Sequence, residues 1–204
     1  MLSNVKWPGH ATLLFSAEKI IYIDPYQLKE NPQKADLILI THDHYDHLSE
    51  TDIEKIRTKD TIVVIPASTK KSIRGNVCKI NNGDFFTFGD ITVEAVPSYN
   101  TNKKFHPKSA RNVGYILTIN KVRYYHAGDT DIIPEMDGLN VDVAFLPVGG
   151  TYTMTPAEAA DAVRLIKPKI AVPIHYNSIV GSMDDAKTFE KLCDCPVTIL
   201  PKGE

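Results

Sequence analysis

The chain is predicted to be an α/β protein in which two mixed β-sheets pack together with helices outside. Two observations carry this reading. Short apolar runs rich in β-branched residues, bounded by turn residues, recur through both halves of the 204 residues. Each half also passes from hairpin-like strands into alternating helices and strands, a pattern suited to stacked layers. With no linker or low-complexity segment to divide it, the chain reads as a single domain over residues 1–204, long enough to bury a substantial core.

Taken in order, Ala11 to Phe15 and Lys19 to Ile23 are strands around a turn at Ala17-Glu18, closing at Asp24-Pro25. Asp36 to Thr41 is a short buried strand, and Ser49-Glu50-Thr51-Asp52 opens a helix with the spacing of a capping box. Thr61 to Ile65 is a strand, followed by a short basic helix near Lys70 and by strands over Val77 to Ile80, Phe85 to Phe88 and Ile91 to Val96. Pro97 to Arg111 is the longest loop. The second half has strands at Val113 to Ile119 and Val122 to His126 around Asn120-Lys121, then at Val141 to Leu146 and Ile170 to Ile174, with a closing strand at Pro196 to Leu200. Thr155-Pro156-Ala157-Glu158, with proline at the first helical position, and Ser182-Met183-Asp184-Asp185 start the remaining helices.

Composition narrows the function. Hydrophobic residues make up 43% and the formal net charge is −2, with Lys and Arg scattered, so no nucleic-acid footprint is visible. Cys78, Cys193 and Cys195 are odd in number and include only a C-x-C pair, which fits a reduced, cytoplasmic protein. The N-terminus lacks the apolar core of a signal peptide, and no apolar run approaches the roughly 20 residues that span a bilayer. The expected partner is a small-molecule substrate, with no nucleic acid and no membrane; a homo-oligomer is left open.

The residues that point to chemistry are concentrated in Thr41-His42-Asp43-His44-Tyr45-Asp46-His47, which holds three of the seven histidines directly after Leu37-Ile38-Leu39-Ile40. Such crowding asks for metal, and two adjacent ions suit it better than one. His42 and His44 point to the same side of an extended segment, and Asp46 and His47 follow a turn. Further donors also lie just past strands: Asn100 after Val96, Asp129 after His126 and His175 after Ile174. Ligands bind beyond the carboxyl ends of strands in open α/β sheets, so these segments are expected to share one edge. No G-x-S-x-G elbow and no P-loop occurs, which favours metal-assisted hydrolysis over those classes.

The run His42, His44, Asp46, His47 matches the H-x-H-x-D-H signature, and with Gly128-Asp129-Thr130 and His175 the chain resembles the metallo-β-lactamase-fold hydrolase superfamily. Gly9-His10-Ala11, Ile23-Asp24-Pro25 and Leu146-Pro147-Val148-Gly149-Gly150 resemble more narrowly the branch of the L-ascorbate-6-phosphate lactonase and small metal-dependent hydrolases. The resemblance implies a four-layer αββα sandwich with two divalent metal ions at one edge. One ion would be held by His42 and His44, the other by Asp46, His47 and His175, with Asp129 bridging. The third protein ligand of the first ion is Asn100 or His106, or a water fills the position. Zinc leads, with manganese or iron open because of the oxygen donors.

Such a pair lowers the pKa of a bound water to about 7. The expected activity is hydrolysis of a small anionic ester, lactone or phosphodiester, with Asp46 as the catalytic residue that orients the hydroxide or takes its proton. Asp24 is expected to orient a metal ligand or loop backbone. His10 either lines the substrate pocket or makes an orienting hydrogen bond, and His126 is read as structural. Lys103, Lys104, His106, Lys108 and Arg111 in the long loop suit a phosphate or another anion on the substrate. Tyr99, Tyr152 and Tyr176 flank the site segments and are candidates for substrate contact. The alternative of another class is a metal-binding sensing or assembly protein of the same fold without turnover.

Overall fold

The computed structural model describes residues 1–203. The first sheet contains β1 (Val5–Gly9), β2 (Thr12–Ser16), β3 (Ile20–Ile23), β4 (Leu37–Leu39), β5 (Ile62–Pro66) and β6 (Asn76–Ile80), in spatial order identical to chain order. The second contains β7 (Phe85–Phe88), β8 (Ile91–Pro97), β9 (Val113–Ile119), β10 (Val122–His126), β11 (Val143–Pro147) and β12 (Ile170–Ile174), again in chain order. Both are mixed. Pairing is antiparallel from β1 to β3 and parallel from β3 to β6, and antiparallel from β7 to β10 and parallel from β10 to β12.

Strands buried on both faces explain the continuous apolar runs. In the first sheet Leu13, Phe15, Ile21, Ile23, Leu37, Leu39 and Val64 face the second sheet's core residues. Their neighbours Leu14, Tyr22, Ile38, Ile40, Val63 and Ile65 pack outward with Ile53 and Ile56 of α1 (Glu50–Ile56). On the opposite outer face, α2 (Pro156–Ile166) and α3 (Met183–Leu192) cover the second sheet, burying Ala159, Ala162, Val163, Ala186 and Phe189. The four-layer arrangement is thus helix, sheet, sheet, helices. Each helix starts at an expected cap: the Ser49, Thr155 and Ser182 hydroxyls accept from Asp52, Glu158 and Asp185 backbone N–H groups.

Some element expectations need correction. β1 was not expected; Pro8 obscures it in the sequence, and its edge position tolerates the missing N–H. No helix forms near Lys70. The segment 69–75 is irregular, because only Ile73 among its residues packs against the core and a basic run without an apolar stripe has nothing to bury. The strand after the helix-preceding turn starts at Val143 rather than Val141, and the closing segment Pro196 to Leu200 makes only a single bridge, Ala171 to Val197. Among the described residues no helix is long and apolar enough to cross a membrane.

The sheets are joined by hydrogen bonds at one end of their strands. His175 N–H donates to His10 O at 2.8 Å, Val113 N–H to Thr41 O at 3.0 Å, and the Tyr115 hydroxyl to Ile40 O at 2.7 Å. His126 adds a fourth: its Nδ1 accepts from Gly128 N–H at 3.1 Å, so Nε2–H donates to Ala11 O at 2.8 Å. His126 thus ties the two sheets together.

Candidate metal centre

The donor residues sit just past strand ends along this joined edge. His42, His44, Asp46 and His47 follow β4, His106 lies in the loop after β8, Asp129 follows β10, and His175 follows β12. Three site residues, His10 (φ 51°), Asp24 (φ 46°) and His175 (φ 58°), adopt left-handed backbone at the first position after β1, β3 and β12. Such conformations are uncommon outside glycine and concentrate at functional sites.

The donors form two groups that meet at Asp129. In the first, His44 Nδ1 lies 3.1 Å from His42 Nε2 and 3.1 Å from His106 Nε2. In the second, ligand atoms of His10, Asp46, His47 and His175 gather. Asp129 reaches both groups: Oδ1 is 3.3 Å from His47 Nε2, and Oδ2 is 3.2 Å from His175 Nε2, 3.4 Å from His106 Nε2 and 4.0 Å from His42 Nε2.

Those spacings test the fit to metal. Four donors at zinc bond lengths around a tetrahedron are separated by about 3.3 Å, from edge geometry and the usual Zn–N and Zn–O distances. The observed separations cluster around that value. Moreover, His47 Nε2, His175 Nε2 and Asp129 Oδ1 are buried without a hydrogen-bond partner. Buried polar atoms are normally paired, so three converging orphans are what a cation site leaves when described by protein atoms alone. The donor set fits divalent metal.

Hydrogen bonds behind the donors fix their tautomers. Thr41 Oγ1 gives its proton to Asp24 Oδ2 at 2.6 Å, so it must accept at 3.0 Å from His42 Nδ1–H, leaving the Nε2 lone pair free. Asp24 Oδ2 likewise accepts from His47 Nδ1 at 2.7 Å. Asn100 Oδ1 can only accept, so His106 Nδ1–H donates to it at 3.2 Å and again Nε2 is free. Such partners orient a ligand and raise its basicity. Asp24 thus sits behind Thr41 and His47. The Asn100 carboxamide is fully engaged elsewhere: Oδ1 also accepts from His106 N–H at 2.9 Å and Nδ2 donates to Tyr152 O at 3.0 Å. Of the candidates for the third position beside His42 and His44, the structure brings His106 there and uses Asn100 to hold it.

Charge at the site is unusual. Burial, aided by His47, holds the His42 imidazole well below its ordinary range, and burial lowers His106 too. His47 moves the other way: burial opposes its protonation, but Asp129 and Asp24 outweigh it and raise the group well above the ordinary value. Burial works against the Asp129 carboxylate, yet His175 and His47 keep it well below the usual carboxylate range. The carboxylates thus demand positive charge at the very point where the orphaned atoms converge. Asp46 is brought to about 2, because the hydrogen bond from His10 and the charge of His47 override its burial. His10 Nε2 lies 2.9 Å from Asp46 Oδ2, and burial pushes its imidazole down to about 4. Neutral His10 therefore donates to an ionised Asp46.

A cleft of about 400 Å³ opens onto this centre, lined by Asp43, His44, Tyr45, Asp46, Phe105, His106, Asp129, Tyr152 and Ile179. Of the proposed substrate contacts only Tyr152 lines it. Tyr99 is buried with its hydroxyl donating to Glu135 at 2.8 Å. Lys103 Nζ is held by Asp131 at 2.6 Å and by Glu158 at 3.4 Å, and Lys108 pairs with Glu135 at 2.9 Å. Arg111 lines a different cleft, with Asn81, Pro97 and Asn112. Tyr176 stacks on Trp7, ring centroids 4.7 Å apart. The basic loop thus lends the cleft no cation: Lys103 and Lys108 find carboxylates distant in sequence, and Arg111 faces another cleft. Missed by sequence reasoning were Tyr45, Phe105 and Ile179, although Tyr45 lies between two donors and Phe105 precedes a third. A larger groove of about 510 Å³ lies between Ile62, Val64 and Ile80 of the first sheet and Phe86 and Phe88 of the second. Among the described residues no donor group converges there.

Comparison with known proteins agrees with this geometry. A family model described as a beta-lactamase superfamily domain matches residues 4–175. The chain is 35% identical over 220 residues to a UPF0173 metal-dependent hydrolase of Thermococcus kodakarensis, with 98% of this chain and 97% of that protein covered. Among solved structures, a protein of Parabacteroides distasonis assigned as a metal-dependent hydrolase is similar with a TM-score of 0.86 and 36% identity, over 98% of this chain and 93% of that one. A metallo hydrolase of Ignicoccus hospitalis shares the fold, with a TM-score of 0.77 at 24% identity over 98% and 95% of the two chains.

Proposed function

Because the chain belongs to the metallo-β-lactamase-fold hydrolase superfamily, among its UPF0173 metal-dependent hydrolases, we propose that it cleaves an ester, lactone or phosphodiester bond at two divalent cations. The observation that supports this most is the pair of donor groups sharing Asp129, with unpartnered His47, His175 and Asp129 atoms between them. His42, His44 and His106 would hold one cation and Asp46, His47 and His175 the other, with Asp129 within reach of both groups. Zinc fits the histidine-rich group; manganese or iron suits the more oxygen-rich one. When bound, such a pair supplies an activated water and polarises the electrophilic oxygen.

The chain's own groups do the rest. Asp46, ionised and only partly buried at the cleft, is the residue we assign to orienting the attacking water and accepting its proton. His10 fixes the Asp46 carboxylate through Oδ2, so the base does not swing away. Asp24, Thr41 and Asn100 hold three imidazoles in the tautomer that presents Nε2, so little reorganisation accompanies the reaction.

The test couples metal analysis with an activity screen across lactones, phosphodiesters and thioesters. The expected result is two cations per chain and turnover of one class. His44→Ala is expected to lose more activity than the ~10–100-fold typical of losing an orienting partner. Normal turnover in that variant would sink the assignment.

A further inference from the structure

We propose that the cleft selects substrates whose group beyond the scissile bond is uncharged and apolar, an aryl or branched alkyl group seated on Tyr45, Phe105, Tyr152 and Ile179. The inference rests on the hydrolytic reading above and narrows its substrate class. Large exposed apolar side chains are informative when they cluster. Tyr45 is 62% exposed, Phe105 42% and Ile179 37%, and all three line this one cleft.

The clustering is built into the loops. Three of the loops that deliver donors also deliver an apolar group: Tyr45 between His44 and Asp46, Phe105 immediately before His106, and Ile179 four positions after His175. The fourth, Tyr152, comes from the loop after β11. Phe105 and Tyr152 meet edge-on, with centroids 4.7 Å apart and planes at 90°, and Tyr45 meets Tyr26 in a similar way at 6.0 Å. The wall is therefore held before a ligand arrives. Its anchor is the paired backbone of Asn100 and His106, where Asn100 N–H donates to His106 O at 2.7 Å. Aromatic groups ordered in advance lose little freedom on binding.

Charge completes the argument. Among the described residues no lysine or arginine lines the cleft, and the one charged lining residue outside the donor groups is the acid Asp43. An anion at the far end of a substrate would meet a carboxylate and aromatic carbon there, with no cation to offset its desolvation. Lys103 and Lys108, which could have supplied one, are tied to Asp131 and Glu135.

The experiment uses the zinc-loaded full chain and acetate esters that share one scissile bond: 2-naphthyl acetate, phenyl acetate and 4-acetoxybenzoate. The carboxylate of the last is a no worse leaving-group substituent than hydrogen, so slower cleavage reports the site. We expect kcat/KM to be at least about tenfold higher for phenyl acetate than for 4-acetoxybenzoate, and this ratio to fall toward one in Phe105→Lys and in Tyr45→Lys. Independently of turnover, binding of 2-naphthol followed by calorimetry is expected to weaken about tenfold, about 1.4 kcal/mol, in Phe105→Ala at unchanged metal content. If esters are cleaved but 4-acetoxybenzoate is preferred, the hydrolase stands and the apolar selectivity falls. If no ester is cleaved yet 2-naphthol binds and depends on Phe105, the selectivity stands and the ester reading fails. Binding of 2-naphthol indifferent to Phe105→Ala overturns the proposal.

Discussion

His106 and Asn100 show what a pair of residues six apart can divide between them. The imidazole faces His42, His44 and Asp129, while the carboxamide engages only His106 and Tyr152. We expect His106→Ala to hold one cation per chain instead of two by elemental analysis. Asn100→Ala should keep both sites but bind one about 10–100-fold more weakly in a chelator competition. The opposite pattern would make Asn100 the ligand. The cluster His42 to His47 was legible in sequence because its donors follow one buried strand with no intervening chain to place. The choice between Asn100 and His106 was not, since a loop's path depends on partners elsewhere. Lys103 misled for the same reason: its charge looks available until Asp131 and Glu158 arrive.

α1 is short, and one residue in it does more than cap. Asp52 accepts from Gln27 N–H at 2.9 Å, Leu28 N–H at 3.1 Å, the Ser49 hydroxyl at 2.7 Å and Lys55 Nζ at 2.9 Å, fastening the turn that follows Asp24 to the helix. Burial opposes its ionisation, but Lys55, Ser49 and the two backbone N–H groups lower its carboxyl below the ordinary value. A carboxyl lowered on folding stabilises the protein above its unfolded-state value and loses that contribution as pH falls through the folded-state value. Asp52→Asn should therefore cost about 1.5–3 kcal/mol at pH 7, typical of hydrogen bonds to charged groups, and progressively less in the acid range. Urea unfolding of both proteins at a series of pH values checks this, and a difference that does not shrink in acid would refute it. At this scale, strands buried on both faces and capped helices were readable because local composition decides them. The basic segment near Lys70 and the tail from Pro196 were not, since whether they form elements depends on a surface to pack against or an edge to join.

For the molecule as a whole, the sandwich was foreseeable from two repeated strand sets, whereas the strand order within each sheet had to be seen. The candidate donor residues come from both sheets, so a cation held by them would tie one sheet to the other. Ligands that bind only the folded state stabilise it by mass action, about 2.7 kcal/mol at one hundred times the dissociation constant. We expect chelation to lower the melting temperature and added zinc to restore it; a melting curve indifferent to both would mean that the donors hold no ion. The hydrogen bonds joining the sheets, His175 to His10, Val113 to Thr41, Tyr115 to Ile40 and His126 to Ala11, gather at the strand ends beside these donors. The margin formed by β6 and β7 has a groove between its sheets instead. The two layers then resemble a book bound along the edge that carries the chemistry. Hydrogen exchange should find the pages loosest at β6 and β7, opening there while the bound edge stays shut. A protein built this way can breathe, and even lose its outer leaf for a moment, without disturbing the atoms on which its reactivity depends.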